Sequence, residues 1–169
     1  MTLSMHSASA PILTRMLGNL NTWLVKAQAH AEVKKFDSAN YLSLRLAPDM
    51  LPFASQVRIA TDVARLAMSR LANAEYPRYA DDETTLEALA ERVRKTIAFV
   101  QSIDPERLDG SDSREIVLPQ RSGDPLHFTG ESFLQHWALP NLFFHTTTTY
   151  ALLRQAGVEL GKADYLGGA

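Results

Sequence analysis

The sequence contains no cysteine among its 169 residues. Disulfide bonds, thiolate nucleophiles and cysteine-based zinc sites are therefore excluded as sources of stability or function. Because cysteine usage is the usual sequence indicator of redox compartment, its absence leaves the compartment undecided.

The chain also lacks a strong excess of either charge and any long apolar run. Its formal net charge is −2, and 17 basic residues are interleaved with 19 acidic ones. Nucleic acids and membrane surfaces favour clustered Lys and Arg, so we expect neither as a partner. No stretch approaches the length of a membrane span. The first twenty residues have an interrupted apolar pattern and no basic residue before Arg15, so we expect a cytoplasmic protein without a secretory signal.

What the chain does contain is enough apolar residues for one core. Hydrophobic residues make up 46% of the sequence and charged residues 21%, which are ordinary values for a globular protein. A chain of this length fits one hydrophobic core, so we expect a single domain over residues 1–169.

Three segments before residue 104 repeat apolar residues at three- and four-residue spacing, the pattern of amphipathic helices. The first helix is predicted over about residues 11–34, with Ser9 as its cap and Pro11 in its first turn. The second is predicted over about residues 52–72. Thr84 or Thr85 is predicted to cap the third.

The remaining part of the chain predicts a hairpin followed by a last helix. Two short apolar runs flank the turn sequence Ser-Gly-Asp-Pro at 122–125, which is typical of a β-hairpin. Thr129 is the predicted cap of the last helix, which Pro140 should kink and Gly157 should end. The sum is an all-α protein: a four-helix bundle of the up-and-down type with a short β-hairpin between helices three and four.

A partly polar line runs along the last helix between large apolar residues. Asn141, His145 and Thr148 lie on it, because steps of three and four residues stay on one helix face. In a bundle such a line points inward more often than outward, so these groups should be buried and hydrogen-bonded. They are predicted to meet Gln56 of the second helix in a small polar pocket beneath Trp137, although Gln56 could instead cap its own helix.

Each candidate in this line has a structural alternative. His145 is either a residual ligand or general base, or a core histidine with one donated and one accepted hydrogen bond. Asn141 either lines the pocket or satisfies carbonyls freed by Pro140. Trp137 and Tyr150 are either parts of a ligand site or packing residues. The threonines at 146–149 can bond back to the carbonyl one turn earlier, which allows their burial.

Two other polar features have a structural interpretation. Asp62 is a candidate carboxylate ligand, but Arg58 and Arg65 at helical spacing favour an ion pair. Near the end of the chain, Lys162 and Asp164 are predicted to anchor the tail electrostatically, with Tyr165 and Leu166 buried beside them.

The stretch "NLFFHTTTTYALLRQAGVELGKADYLG" resembles the C-terminal signature of the DUF1993 proteins, and "FASQVRIATDVARLAMSRLA" resembles their second-helix segment. The resemblance covers most of the chain. It implies membership of the DinB/YfiT-like superfamily of four-helix bundles. Many members of that superfamily hold a divalent metal with three histidines, one from the second helix and two from the last. The most specific matches are His145, Tyr150, Gly157, Gly161, Lys162, Asp164 and Tyr165.

The resemblance also shows where this sequence departs from the superfamily pattern. It places His145 at the second histidine of the last-helix pair, Asn141 at the first, and Thr148 at a glutamine that often follows. The second helix has no histidine, since none occurs between His30 and His127. One imidazole with amide oxygens would hold a metal weakly. We therefore expect no cofactor, with zinc or nickel weakly bound at His145 as the alternative.

Two functions follow from the resemblance. The first is a non-catalytic or small-ligand-binding bundle protein that has lost the three-histidine metal site of the superfamily. It is expected to form a homodimer through apolar residues of its first and last helices. The alternative is a DinB-like enzyme, either a metal-dependent hydrolase or a thiol-dependent transferase, that uses a pocket around His145. The missing histidines favour the first. No catalytic residue is assigned, and the pocket candidates are His145, Asn141, Thr148, Gln56, Trp137 and Tyr150.

Overall fold

The computed structural model describes residues 4–120 and 122–167. Within them, four long helical segments form a bundle, and a two-stranded antiparallel sheet precedes the last segment. Short 3-10 turns lie at Ser38–Ser43 and Pro105–Leu108. The helices and strands are α1 (Met5–Lys34), α2 (Phe53–Ala72), α3 (Leu86–Ser102), β1 (Glu115–Leu118), β2 (Leu126–Thr129), α4 (Gly130–Phe133), α5 (Leu139–Gln155) and α6 (Lys162–Leu166). The predicted fold class, a helical bundle with a hairpin before the last helix, is confirmed.

The start of α1 differs from the prediction. Ser4, not Ser9, is the N-cap, and it forms a capping box with Ser7. Ser9 is buried one turn inside the helix, where its hydroxyl donates to the Met5 carbonyl at 2.6 Å. Pro11 is exposed within the helix, where the missing N–H removes a single intrahelical bond from a segment of 30 residues. The prediction erred by taking this proline as a first-turn residue.

The other predicted helix starts agree with the structure. Thr85 caps α3 by accepting from the Ala88 N–H, and α2 follows Pro52 directly. Thr129 accepts the Ser132 N–H at 3.2 Å, so it both closes β2 and begins α4. The hairpin pairs Glu115 with Thr129 at its open end.

The order of the helices around the bundle is not the up-and-down order that the sequence suggested. Helix α1 packs mainly on α3 and α5, and α2 packs mainly on the same two helices. Consecutive helices α1 and α2 therefore lie across the bundle from each other. The connections at 35–52 and 103–129 are long enough to cross the bundle end, whereas short loops would have forced neighbours to pair.

The last helical segment contains a π-helical turn. Leu134–Ala138 separates α4 from α5, and the Leu139 N–H bonds to the Leu134 carbonyl five residues earlier. Such a turn holds one more residue than an α-helical turn. It lies immediately before Pro140, which occupies the first turn of α5 and has no N–H to donate. The disturbance predicted at this proline therefore takes the form of a π turn.

The core lies between the long helices. Its largest fully buried side chains include Trp23 of α1, Phe53 of α2 and Phe133 of α4. No helix in the described part of the chain is long and apolar enough to cross a bilayer.

Candidate functional site

The structure brings His145 of α5 against Gln56 of α2. The His145 Nδ1 atom lies 2.7 Å from the Gln56 Oε1 atom. Gln56 is 1% exposed, and its amide nitrogen donates to the Leu51 carbonyl at 2.9 Å. Because α2 and α5 pack on each other, these two side chains connect neighbouring helices.

These hydrogen bonds determine which imidazole nitrogen carries the proton. The Leu51 carbonyl can only accept, so the NH2 group of Gln56 must face it. The Gln56 oxygen then faces His145 and also can only accept. Nδ1 of His145 is therefore the protonated nitrogen, and Nε2 of the neutral ring is an acceptor.

Burial favours the neutral ring. It lowers the pKa of His145 below the ordinary value, because desolvation penalises the charged form. The ring is only partly buried, and the exposed Phe144 ring meets it edge-on with a centroid distance of 5.2 Å. His145 thus combines a fixed tautomer, an acceptor nitrogen and an accessible aromatic neighbour.

The other predicted pocket residues do not share this hydrogen bond. Asn141 is partly exposed, and no hydrogen bond joins its side chain to His145 within the described residues. Thr148 is buried but donates to the Phe144 carbonyl at 2.8 Å. Trp137 stacks on Phe133, with ring centroids 5.4 Å apart.

Tyr150 lies beside the C-terminal segment. Its ring meets Trp23 and Tyr165 at centroid distances of 5.7 Å and 5.8 Å. Trp23 donates its indole N–H to the Asp164 carbonyl at 3.3 Å, and Asp164 pairs with Lys26 at 2.6 Å. Asp164 therefore anchors the tail as predicted.

Two other tail residues do not follow the prediction. Lys162 is exposed, and Leu166 is 55% exposed. Helix α6 is thus fixed to α1 by aromatic stacking, by hydrogen bonds from Trp23 and Asn19 to its backbone carbonyls and by one ion pair, rather than by burial of Leu166.

The threonine run has the local explanation that the sequence suggested. Thr146, Thr148 and Thr149 each donate to the carbonyl four residues earlier, at 2.8 Å in every case. Thr147 instead faces the Tyr165 hydroxyl at 2.8 Å. Three hydroxyls are thereby satisfied inside the bundle without a partner from another helix.

The donor set near His145 does not match a three-histidine metal site. Across residues 4–120 and 122–167, no three His, Cys, Asp or Glu side chains are grouped so that they could hold a metal ion. His136 is exposed, and His127 lies on the hairpin beside Glu115. Nδ1 of His145 is already engaged by Gln56, so this residue offers one ligand atom, Nε2.

A larger polar assembly, which the sequence did not predict, lies between α2, α3 and the segment that joins them. Arg92 of α3 is 3% exposed and contacts Asp62 at 2.8 Å, Asp81 at 2.5 Å and Glu83 at 2.9 Å. We refer to these four residues as the Arg92 cluster. The Arg92 guanidinium also lies over the Tyr79 ring, 4.5 Å from its centroid.

Neighbouring arginines extend the cluster. Arg65 pairs with Asp62 at 2.8 Å, as the spacing predicted, whereas Arg58 pairs with Glu83 at 2.7 Å instead. The acidic run at 81–83 and the arginines of α2 were the available sequence signals. Arg92 itself was not identifiable, because a charged residue within an amphipathic helix is ordinarily exposed.

The fold is that of a DinB-like helical-bundle protein. A crystal structure described as a DinB family member protein from Shewanella denitrificans is similar to this one, with a TM-score of 0.90 and 36% sequence identity. The similarity covers 98% of this chain and 93% of that chain. A search of curated proteins gave no significant match.

A family model described as "Domain of unknown function (DUF1993)" matches residues 5–166. The chain belongs to the DUF1993 family. This confirms the resemblance seen in the second and last helices.

Proposed function

We propose that this DUF1993 protein is a non-catalytic bundle protein that binds a small ligand at His145. The hydrogen bond from Nδ1 to Gln56 is the observation that carries the proposal. It holds the imidazole in one tautomer and directs a neutral acceptor, Nε2, away from Gln56. The complementary ligand group is a hydroxyl or N–H donor attached to an apolar body that contacts Phe144.

The chemistry of the donor set supports loss of the superfamily metal site. A single imidazole nitrogen, with Asn141 as the neighbouring candidate on α5, lacks the charge and ligand number of a structural or catalytic zinc site. Metal-bound histidines usually donate their other ring N–H to a carboxylate that orients them, whereas His145 donates to the Gln56 amide oxygen. We propose that the protein works without a resident metal.

A titration with phenol tests the ligand proposal, because phenol combines a hydroxyl donor with an apolar ring. Imidazole nitrogen NMR should show His145 protonated at Nδ1 before addition, and phenol should shift the Nε2 resonance. Anisole has the same ring without the donor, and it should leave this resonance unchanged. An Nε2-protonated ring, or equal shifts with both compounds, would contradict the proposal.

Metal is tested separately. Elemental analysis after dialysis against zinc or nickel should find far less than one metal per chain. If one equivalent remains and His145→Ala removes it, the second candidate function gains support. That candidate is a DinB-like hydrolase or transferase, and the neutral His145 ring with a lowered pKa is the observation that favours it, since such a ring suits a general base.

We further propose a single-domain, cytoplasmic homodimer. Exposed apolar side chains on α1 and α5 support self-association: Val25 is 57% exposed and Phe143 37%. Sedimentation at high protein concentration should give the mass of two chains. The Phe143→Ser variant should shift the mass toward one chain if α5 contributes to the interface, whereas a parent protein with the mass of one chain would refute the dimer.

A further inference from the structure

A cleft of about 500 Å³ lies between the second half of α1 and the turn that follows α5. This volume is within the range of small-molecule sites. Lys26, His30 and Lys34 line its α1 side at intervals of four residues, and therefore share one helix face. Gly157 and Glu159 lie on the other side.

The tautomer of His30 is determined by a buried tyrosine. His30 Nδ1 lies 2.6 Å from the hydroxyl of Tyr41, which is 2% exposed. Burial raises the pKa of Tyr41, so its hydroxyl stays protonated. Among the described residues this hydroxyl has no other hydrogen-bond partner, so its proton is directed at Nδ1. With Nδ1 accepting this proton, Nε2 of His30 carries a hydrogen.

The Nε2–H of His30 opens toward the cleft. A Cβ atom placed on Gly157 would lie 3.7 Å from Nε2, in van der Waals contact with the ring edge. Gly157 also has a φ of +89°, which side-chain-bearing residues rarely adopt. Glycine therefore ends α5 and leaves this edge of the imidazole uncovered. In the described ranges, no protein acceptor is bonded to Nε2.

The charges around the cleft are uneven. Lys26 is paired with Asp164 at 2.6 Å, whereas Lys34 has no ion-pair partner in the part of the chain that the structure describes. Glu159 on the opposite side opposes the approach of a doubly charged anion. Ala29 and Val33 supply an apolar wall between the donors. The cleft thus offers two donors for one negative oxygen group and an apolar surface beside them.

We propose that this cleft binds a small monocarboxylate with an apolar body. The carboxylate accepts the His30 Nε2–H and pairs with Lys34, and the apolar body packs on Ala29 and Val33. The end of α5 at Gln155 lies ten positions after His145, which is about 15 Å of helix. The proposal is therefore independent of the function proposed for His145.

Benzoate is the probe that tests this proposal. We expect benzoate, titrated to about 50 mM, to give saturable shifts of the His30 imidazole resonances with a Kd of about 1 mM. Benzamide has the same shape without the charge, and should bind at least about tenfold more weakly. Inorganic phosphate should also bind more weakly than benzoate, because its second charge meets Glu159.

Four exposed or conservative variants sharpen the test. Lys34→Gln should raise the benzoate Kd about threefold to tenfold, and Glu159→Gln should lower it. Tyr41→Phe should raise it because the His30 tautomer is no longer fixed. Lys162→Gln removes an exposed lysine that does not line the cleft, and should leave the Kd unchanged.

Three results would overturn the proposal. The first is the absence of saturable His30 shifts with benzoate. The second is equal affinity for benzamide and benzoate, and the third is an unchanged Kd in Lys34→Gln. Because Lys34 is exposed near the end of α1, its replacement tests binding without threatening the core.

Discussion

The Arg92 cluster and the His145–Gln56 pair bury polar groups in opposite ways. Arg92 uses three carboxylates from α2 and the 73–85 segment, so one charged group holds several parts of the chain together. His145 uses one neutral amide and keeps its second nitrogen without a hydrogen bond in the described structure. A buried charge requires several partners, whereas the partly exposed neutral ring of His145 can leave its second nitrogen to solvent. The first arrangement suits structural stability, and the second leaves an atom for a ligand.

Removing the charge at the centre of the cluster should have the largest effect. Arg92→Met takes from Asp81 its ion-pair partner and leaves Asp62 with Arg65 and Glu83 with Arg58, and we expect a loss of about 3 kcal/mol in the free energy of unfolding. Urea unfolding followed by circular dichroism measures this loss.

The matched control is Arg94→Met on the same helix. Arg94 pairs with Glu87 and Glu91 on the exposed face of α3, where solvent screens the interaction. Its replacement should barely move the urea midpoint. Equal effects of the two variants would remove the contrast between the cluster and an ordinary surface ion pair.

Acid should reduce the stabilisation by the Arg92 cluster, but by less than the Arg92→Met substitution does. Burial alone would raise the pKa of Glu83, but hydrogen bonds from Arg92 and Arg58 outweigh burial and lower this pKa below its ordinary value of 4.5. The folded pKa is below the unfolded one, so the stabilisation is complete above about 4.5 and is lost as the pH falls through the folded pKa.

Urea unfolding between about pH 7 and about pH 3 should show this loss. Glu83→Gln should be less stable than the parent at neutral pH and should lose less on acidification. Glu87→Gln, at an exposed partner of Arg94, is the control and should follow the parent curve. A Glu83→Gln curve parallel to that of the parent would contradict the assignment.

Breaking the hydrogen bond between His145 and Gln56 should lower the free energy of unfolding by a smaller amount again. His145→Ala leaves the buried Gln56 oxygen without a donor, and we expect it to cost about 1–2 kcal/mol. His145→Gln keeps a donor and should recover part of this loss. Thermal and urea unfolding of both variants measure the difference, and two variants as stable as the parent would show that the hydrogen bond contributes nothing.

The pH dependence of this pair has a definite sign. Burial lowers the pKa of His145, so the folded state favours the neutral ring. The stability that the neutral ring contributes is therefore complete above the ordinary pKa of 6.5. It is lost as the pH falls below that value, and His145→Gln should remove this part of the pH dependence.

Thr148→Val should have the smallest effect. The substitution keeps the branched shape and removes a hydroxyl that bonds only within its own helix, so we expect a change below about 1 kcal/mol. The urea midpoint measures it. A loss as large as that of His145→Ala would mean that the Thr148 hydroxyl contributes to the His145 site.

The helices were largely predictable because pattern and caps agree locally. Thr85 and Thr129 combine a capping side chain with an amphipathic stretch, and both begin helices where expected. Ser4 was missed because Pro11 gave a stronger local signal for a helix start. The order of helices around the bundle depends on long connections and contacts between distant segments, which local patterns do not specify.

The candidate site was predictable only in part, and the π turn explains why. A helical wheel places Trp137 and His145 on one line only if every turn holds 3.6 residues. The extra residue in Leu134–Ala138 changes the angle between these two side chains around the helix axis by about 100°. The proximity of His145 and Gln56 depends on packing downstream of the π turn. The Arg92 cluster was missed because Asp81 and Glu83 come from an irregular segment, where Asp81 has a φ of +59°.

The docking of α6 on Trp23 has an optical consequence. The chain has two tryptophans, and Trp23 is fully buried beneath Tyr165, whose ring stacks on it at a centroid distance of 5.6 Å. Trp137 is partly exposed and stacks on Phe133 instead. Detachment of α6 would bring water to the Trp23 indole and shift its fluorescence to longer wavelength, while Trp137 kept its surroundings. The native protein therefore contains its own fluorescent reporter of whether the C-terminal helix is bound.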